Sequence, residues 1–155
     1  MQMTTRTATL DDLDALNVLQ QALIEVERPM DASLRQQGLM YYYDLAELIT
    51  SEKSEVLVVC NQEEIVGCGY GLIKPHDRDI YITTHYGYIG FMYVKEAYRG
   101  KGLGQVILSK LVEWLKSRGM NDIRLQVYQN NPNAIKAYEK AGFQSHLIEM
   151  QLKIE

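Results

Sequence analysis

The sequence predicts a single mixed α/β (α+β) domain built on one central sheet. Three observations carry this expectation. Strand-like and helix-like hydrophobic spacings alternate in the order β-α-α-β-β-β-α-β-α-β along 155 residues. The composition, 46% hydrophobic and 23% charged, is that of an ordinary globular protein. No internal repeat or low-complexity segment marks a second domain. A chain this long buries roughly 70% of its unfolded surface and needs no covalent staples.

The elements follow from local signals. Thr4 to Ala8 alternates as a short first strand. Thr9-Leu10-Asp11-Asp12 is a helix-start pattern, and Leu13, Leu16, Leu19, Leu23 and Ile24 continue it with helical spacing to about Glu27. Pro29 stops that helix. A second helical region is expected between Ser33 and Ser51, broken near Gly38, with Leu45, Leu48 and Ile49 inward. Val56–Cys60, a turn at Asn61-Gln62-Glu63 and the run from Ile65 to Ile73 predict a hairpin, with Gly67, Gly69 and Gly71 on one face. A polar loop, 74–79, leads into an aromatic, β-branched strand from Ile80 to Val94. Leu103, Val106, Ile107, Leu111, Trp114 and Leu115 mark a helix that Gly119 ends. Ile123–Val127 reads as a strand, Asn131 to Ala141 as a helix closed by Gly142, and Phe143 to Ile154 as a last strand.

Composition also excludes function classes. The net charge is −4, against the basic face that broad nucleic-acid binding requires. Residues 1–55 carry ten acids and four bases, while the remainder carries ten acids and twelve bases. That division lets a cation meet the first third and an anion meet the rest. Cys60 and Cys68 have no CxxC or Cys/His neighbour, and His76, His85 and His146 lack metal-ligand spacing, so no metal is expected. No apolar run approaches the ~20 residues that cross a bilayer, and the N-terminus lacks signal-peptide order. A cytoplasmic protein without membrane contact is therefore expected.

The most informative stretch runs from Val94 to Gly104. A strand enters a glycine-rich, basic turn that becomes a helix start. Backbone amides exposed there, the helix dipole, and Arg99 and Lys101 make a site able to hold a phosphate or pyrophosphate. A P-loop requires GxxxxGK followed by Ser or Thr, and a dinucleotide fingerprint requires GxGxxG. Gly102-Leu103-Gly104-Gln105 satisfies neither.

Arg99-Gly100-Lys101-Gly102-Leu103-Gly104 instead resembles the acyl-CoA-binding motif of the GNAT superfamily of N-acetyltransferases, Arg/Gln-x-x-Gly-x-Gly/Ala. Residues 131–143 are similar to the family's Asn-x-x-Ala-x-x-x-Tyr-x-x-x-Gly-Phe segment, and the two motifs come in family order. The resemblance implies one N-acetyltransferase domain over 1–155, with six to seven strands flanked by about four helices. It implies acetyl-CoA as co-substrate, held by Met92, Tyr93 and Val94 on the strand, by Arg99 to Gly104 in the loop, and by Asn131, Asn133 and Tyr138. Tyr138 maps onto the family's general acid, since a phenol within reach can protonate a departing thiolate. Many members carry an acid on the strand before the loop, but this chain has Gly90 near that place. Glu27 is the first substitute base, followed by Tyr93, His85 and Asp31. Tyr41, Tyr42 and Tyr43 are candidates to wall an acceptor site, where aromatic faces favour cations.

The expected reaction is acetyl transfer to a primary amine by direct attack, with a small-molecule acceptor. A protein or peptide amine and a non-catalytic acyl-CoA-binding module stay open as alternatives. The resemblance also makes a homodimer possible, with the Phe143–Ile154 strand, an exposed edge, as the candidate contact.

Overall fold

The computed structural model describes residues 2–155 and contains one five-stranded sheet. Strands β1 (Met3–Thr7), β2 (Ser54–Asn61), β3 (Glu64–Pro75) and β4 (His85–Val94) pair antiparallel in chain order. β5 (Ile123–Arg124) joins β4 in parallel. Helices α1 (Leu13–Glu27) and α2 (Leu45–Thr50) cover one face, and α3 (Leu103–Ser117) covers the other. α4 (Pro132–Lys140) lies beside the start of α3, where the Gln105 side chain donates to the Ala137 carbonyl at 2.9 Å.

The two cores follow from strand alternation. On β2, Val56, Val58 and Cys60 pack with Leu16 and Leu19 of α1, while Leu57 and Val59 pack with Ile107 and Leu111 of α3. A strand covered on both faces is apolar along its covered length, as β2 is from Val56 to Cys60. The glycine stripe of β3 is the seat of α3. A methyl at Gly69 would stand 2.9 Å from Ile107 and 3.2 Å from Leu111, so only a bare backbone lets the helix lie this close. Before α1, Arg6 donates twice to the buried Asp12 carboxylate, at 2.8 and 2.9 Å, and the Thr9 amide adds a third bond at 2.8 Å. No helix of the described residues is long and apolar enough to cross a membrane.

Four expectations are corrected. The sheet has five strands among the described residues, not six to seven. The stretch from Phe143 to Ile154 joins no sheet, and residues 144–155 are exposed. Strand alternation there is real, but a strand exists only against a partner backbone, and residues 144–155 enter none of the sheet's ladders. The second helical region contracts to α2. Residues 31–44 run irregularly because fully buried Gln20 accepts the Tyr42 and Tyr43 amides at 2.7 and 3.0 Å, and Gln21 bonds Met40 in both directions. β4 begins at His85 rather than Ile80, since a bond from the His76 amide to the Thr84 carbonyl at 3.0 Å closes 76–84 into a loop.

Candidate active site

The site begins where the sheet opens. β4 and β5 pair only at Gly87–Ile123 and Tyr88–Arg124, then part. On its other edge β4 slips register: Tyr70 of β3 faces Gly90, but Cys68 faces Tyr93, so Phe91 and Met92 together oppose Gly69. Phe91 takes a left-handed φ of 52° to make this bulge. A bulge bends its strand and increases local twist, which turns the end of β4 away from β5. Met92, Tyr93 and Val94 thus lie beyond the parting, with the β5-side edge of the strand unpaired.

The glycine loop follows one short turn later. Gly100 and Gly102 have φ of 78° and 79°, which a side chain rarely tolerates. Gly102 is the N-cap of α3 and supplies no capping side chain, so the first-turn amides point outward without an intrahelical partner. A Cβ at Gly100, Gly102 or Gly104 would touch nothing, so this face is open. Arg99 folds back, donating to the Val94 carbonyl at 2.8 Å with its guanidinium 5.4 Å from the Tyr93 ring centre. Lys101 stands 5.6 Å from the Tyr98 ring. The Tyr98 hydroxyl donates to Glu64 at 3.1 Å, and Lys95 pairs with the same carboxylate at 3.0 Å. The loop is anchored at its base and free along its amides. That arrangement suits an anion.

On the far side of the parting, Asn131 caps α4 by accepting the Ala134 amide at 3.3 Å, and Asn133 is exposed on the first turn. Tyr138 comes two turns later on the same helix. Its ring meets Phe143 edge-on, with centres 6.1 Å apart, and packs against the α3 core. Burial pushes its hydroxyl up to about 12, with the charge of Glu27 and then Tyr88 adding to the shift. The phenol therefore keeps its proton near neutrality and can give it.

Glu27, the last residue of α1, is half-buried. Burial lifts its carboxyl above the ordinary range, Tyr42 counters this, and Asp31 adds to it. The same carboxylate raises Tyr42, Tyr43, Tyr88, Tyr128 and Tyr138. Five phenols from four parts of the chain thus feel the charge of one acid. Tyr43 stacks on Phe91 at 5.0 Å and meets Tyr70 and Tyr42 edge-on at 5.4 and 5.7 Å. The Tyr128 hydroxyl donates to Asp31 at 2.8 Å, and Asn130 donates to the Met30 carbonyl at 3.4 Å. These bonds tie the segment after β5 to the end of α1 and form a wall between them.

The structure explains Gly90. A Cβ there would lie 2.5 Å from the Tyr70 hydroxyl, so the phenol of β3 fills the space that a strand-borne acid requires. Of the other substitutes, Tyr93 lies beneath Arg99, and His85 sits at the opposite end of β4, bonded to Thr84 at 2.9 Å. Asp31 belongs to the cluster but is held by Ser33 and Tyr128. Tyr41 is exposed, whereas Tyr42 and Tyr43 turn inward. Sequence reasoning missed Tyr88, Tyr128 and the Phe91 bulge, and it missed Gln20. Only Gln20 left a signal: a polar residue four positions from both Leu16 and Ile24 on the buried stripe of α1.

The chain is similar to proteins of known family and fold. The model of the acetyltransferase (GNAT) family matches residues 21–143. A mycothiol acetyltransferase of Corynebacterium glutamicum is 33% identical over 101 residues, covering 61% of this chain and 31% of the relative. An uncharacterized N-acetyltransferase of Bacillus subtilis, YobR, is 40% identical over 62 residues, covering 40% of this chain and 25% of the relative. This chain thus spans a third or less of the length of these curated relatives. Among solved structures, the BH1408 protein of Bacillus halodurans superposes with a TM-score of 0.88 at 22% identity, covering 98% of this chain and 99% of that one. A Clostridium acetobutylicum structure, described as a predicted acetyltransferase with acetyl-CoA, superposes at 0.71 with 20% identity, covering 98% and 96%.

Proposed function

Because the chain belongs to the acetyltransferase (GNAT) family, we propose that it transfers an acetyl group from acetyl-CoA to a primary amine on a small molecule. The observation that carries this reading is the open amide face of the Gly100 to Gly104 loop, which follows the parting of β4 and β5. The residues fit the donor. The open amide face of Gly100 to Gly104, with Arg99 and Lys101 at hand, suits the pyrophosphate of a coenzyme A ester. The unpaired edge at Met92, Tyr93 and Val94 suits its amide-bearing arm, bound as an added strand. When bound, acetyl-CoA supplies an acetyl group activated as a thioester.

The chain's own residues account for the protons. An amine attacks only when neutral, and the Glu27 carboxylate is the group in the cluster suited to take its proton, directly or through a water. Its raised pKa brings it closer to the amine's own and so makes the transfer easier. Tyr138 holds a proton through the neutral range and delivers it to the departing thiolate. A backbone amide near Val94 serves to polarise the acetyl carbonyl. Asn131, whose side-chain oxygen is engaged at the cap, retains its amide donors for the donor's arm.

The acceptor reading rests on charge and shape. Glu27 and Asp31 with aromatic faces around them favour a cationic amine. The 31–44 segment, clamped by Gln20 and Gln21, roofs the cluster and favours a small acceptor over an extended peptide. Relatives named for mycothiol support a small-molecule class.

The test combines titration calorimetry with acetyl-CoA, CoA and ATP and initial rates of thiol release over a panel of free amines and peptides. Binding of both coenzyme A forms without ATP, and turnover with free amines, are expected. Tyr138→Phe should retain binding and lose turnover by roughly 10²-fold or more. Absence of coenzyme A binding overturns the whole reading. Binding without turnover on any amine leaves a non-catalytic module instead.

A further inference from the structure

One half-buried cation on the α1 face of the sheet is left without an acid. Lys74, near the end of β3, holds its ammonium 4.7 Å from the centre of the Tyr88 ring. It makes no ion pair among the described residues. The neighbouring cation differs. Arg124, 5.0 Å over the Tyr86 ring, is answered by Asp122 through two hydrogen bonds at 2.9 and 3.2 Å. An aromatic face attracts an ammonium but supplies no acceptor atom for its three N–H donors. A charge partly withdrawn from water without a counter-ion costs free energy, and an anion brought to it removes that cost.

The register places this cation on the face where the tyrosines gather. Lys74 pairs with Tyr86 and Leu72 with Tyr88. Alternate residues share a face, so Lys74, Tyr86 and Tyr88 stand on the side that α1 covers. From Tyr88 the rings continue toward the β4 bulge: Tyr70 at 6.5 Å, Tyr43 a further 5.4 Å on, and Phe91 stacked on Tyr43 at 5.0 Å. Tyr88 to Phe91 is roughly 10 Å of extended chain. Lys74 stands over Tyr88, the last residue of β4 that still pairs with β5. Asp31, just past the end of α1, is tied by the Tyr128 hydroxyl to the chain beyond that pair. Charges of opposite sign therefore lie on either side of the parting, along one aromatic face.

We propose that Lys74 recognises a carboxylate on the acceptor, so that the amine this chain acetylates belongs to a small molecule carrying a carboxylate several bonds away, of the ω-amino acid class. The inference rests on the acetyl-transfer reading above and narrows its acceptor. The amine is drawn to the acidic end of the face, and the carboxylate takes the Lys74 donors that Tyr88 cannot satisfy. One ammonium answers one negative charge, which a carboxylate carries and a phosphomonoester exceeds. The separation suits charges set apart along a chain rather than the adjacent pair of an α-amino acid.

Initial rates with ω-amino acids of increasing chain length, set against alkylamines and diamines of matching length, test this. At the length that fits, the parent should prefer the amino acid by roughly tenfold or more in kcat/KM. Lys74→Met keeps an apolar stem over Tyr88 and removes the charge; it should abolish that preference through KM rather than kcat. Lys74→Arg should keep the preference, and Lys74→Glu should turn it toward the diamine. Equilibrium binding of the same compounds, with and without CoA, makes the comparison independently of turnover. Turnover of alkylamines with no preference for any amino acid overturns this inference and leaves the acetyltransferase reading standing. If no amine turns over, that reading falls, and equal binding of amino acid and alkylamine then overturns this one as well. A preference that survives Lys74→Met also overturns it, as does acetylation of Lys74 itself by acetyl-CoA, read by mass spectrometry.

Discussion

Replacing Glu27 by Gln separates a catalytic carboxylate from a structural one, because the two roles predict opposite signs. Gln preserves the volume and removes the charge. If the carboxylate takes the amine's proton, kcat/KM falls by roughly 10²–10⁴-fold, the range of a positioned general base. That corresponds to about 3–5.5 kcal/mol of lost transition-state stabilisation. The folded-state pKa of Glu27 is raised, chiefly by burial. Stability attached to such an acid is greatest when it is protonated and falls as pH rises from the ordinary value of 4.5 through the raised one. Gln, always neutral, escapes that fall, so near neutrality the variant should melt at or slightly above the parent. Activity and stability therefore move apart. The assay is initial-rate thiol release across pH with the best amine of the panel, beside a thermal melt. The parent rate should rise with pH through the raised Glu27 pKa, and the variant should lose that acidic limb. Tyr138, pushed up to about 12, contributes no alkaline limb in the neutral range. A variant that keeps the parental rate and limb refutes the role of Glu27.

Three further outcomes are expected. Gly69→Ala should destabilise by about 1–3 kcal/mol, the cost of overpacking, because the new methyl meets Ile107 at 2.9 Å; chemical denaturation measures it. Gly90→Asp should fail to supply a base and should lower the melting temperature, since its Cβ meets the Tyr70 hydroxyl at 2.5 Å; a gain in rate would contradict the packing described. Asp12→Asn removes an acceptor that Arg6 engages twice and should cost about 1–3 kcal/mol, as for hydrogen bonds to a charged group. Asp12's carboxyl is held below the ordinary 3.8, mainly by Arg6, so its contribution is present above that value and lost as pH falls beneath it. Acid titration of the variant should show a shallower loss than the parent.

The sequence was legible wherever periodicity and local chemistry agree. The β2–β3 hairpin, α1 and α3 follow from spacing and end signals alone, and the glycine loop follows from its position between a strand and a helix. Legibility failed where a segment depends on a distant partner. Residues 31–44 carry helix-like spacing, yet the buried amide of Gln20 captures the Tyr42 and Tyr43 backbone and sets another path. The 143–154 stretch alternates like a strand, but alternation describes a face and supplies no hydrogen-bonding neighbour. In the site, Glu27 was readable as an acid at a helix end, whereas its company of phenols comes from four separate segments that no local pattern connects. Gly90 was noticed as a missing acid; the reason for it, the Tyr70 hydroxyl, belongs to the neighbouring strand.

The two-pair seam between β4 and β5 has a consequence for how the molecule holds together. From β5 onward the chain is attached to the sheet through very few main-chain bonds, and Gln105, Tyr128 and Asn130 add to the packing of Tyr138 and Phe143 on the α3 core. Such a region opens at lower free energy than the β2–β3 core. A donor lying in the parting would engage both banks at once, bonding β4 on one side and α4 on the other, and would bind only the closed arrangement. Stability then rises with ligand concentration by mass action. The melting temperature becomes a gauge of how full the cleft is, and hydrogen exchange in 123–141 should slow in step with it.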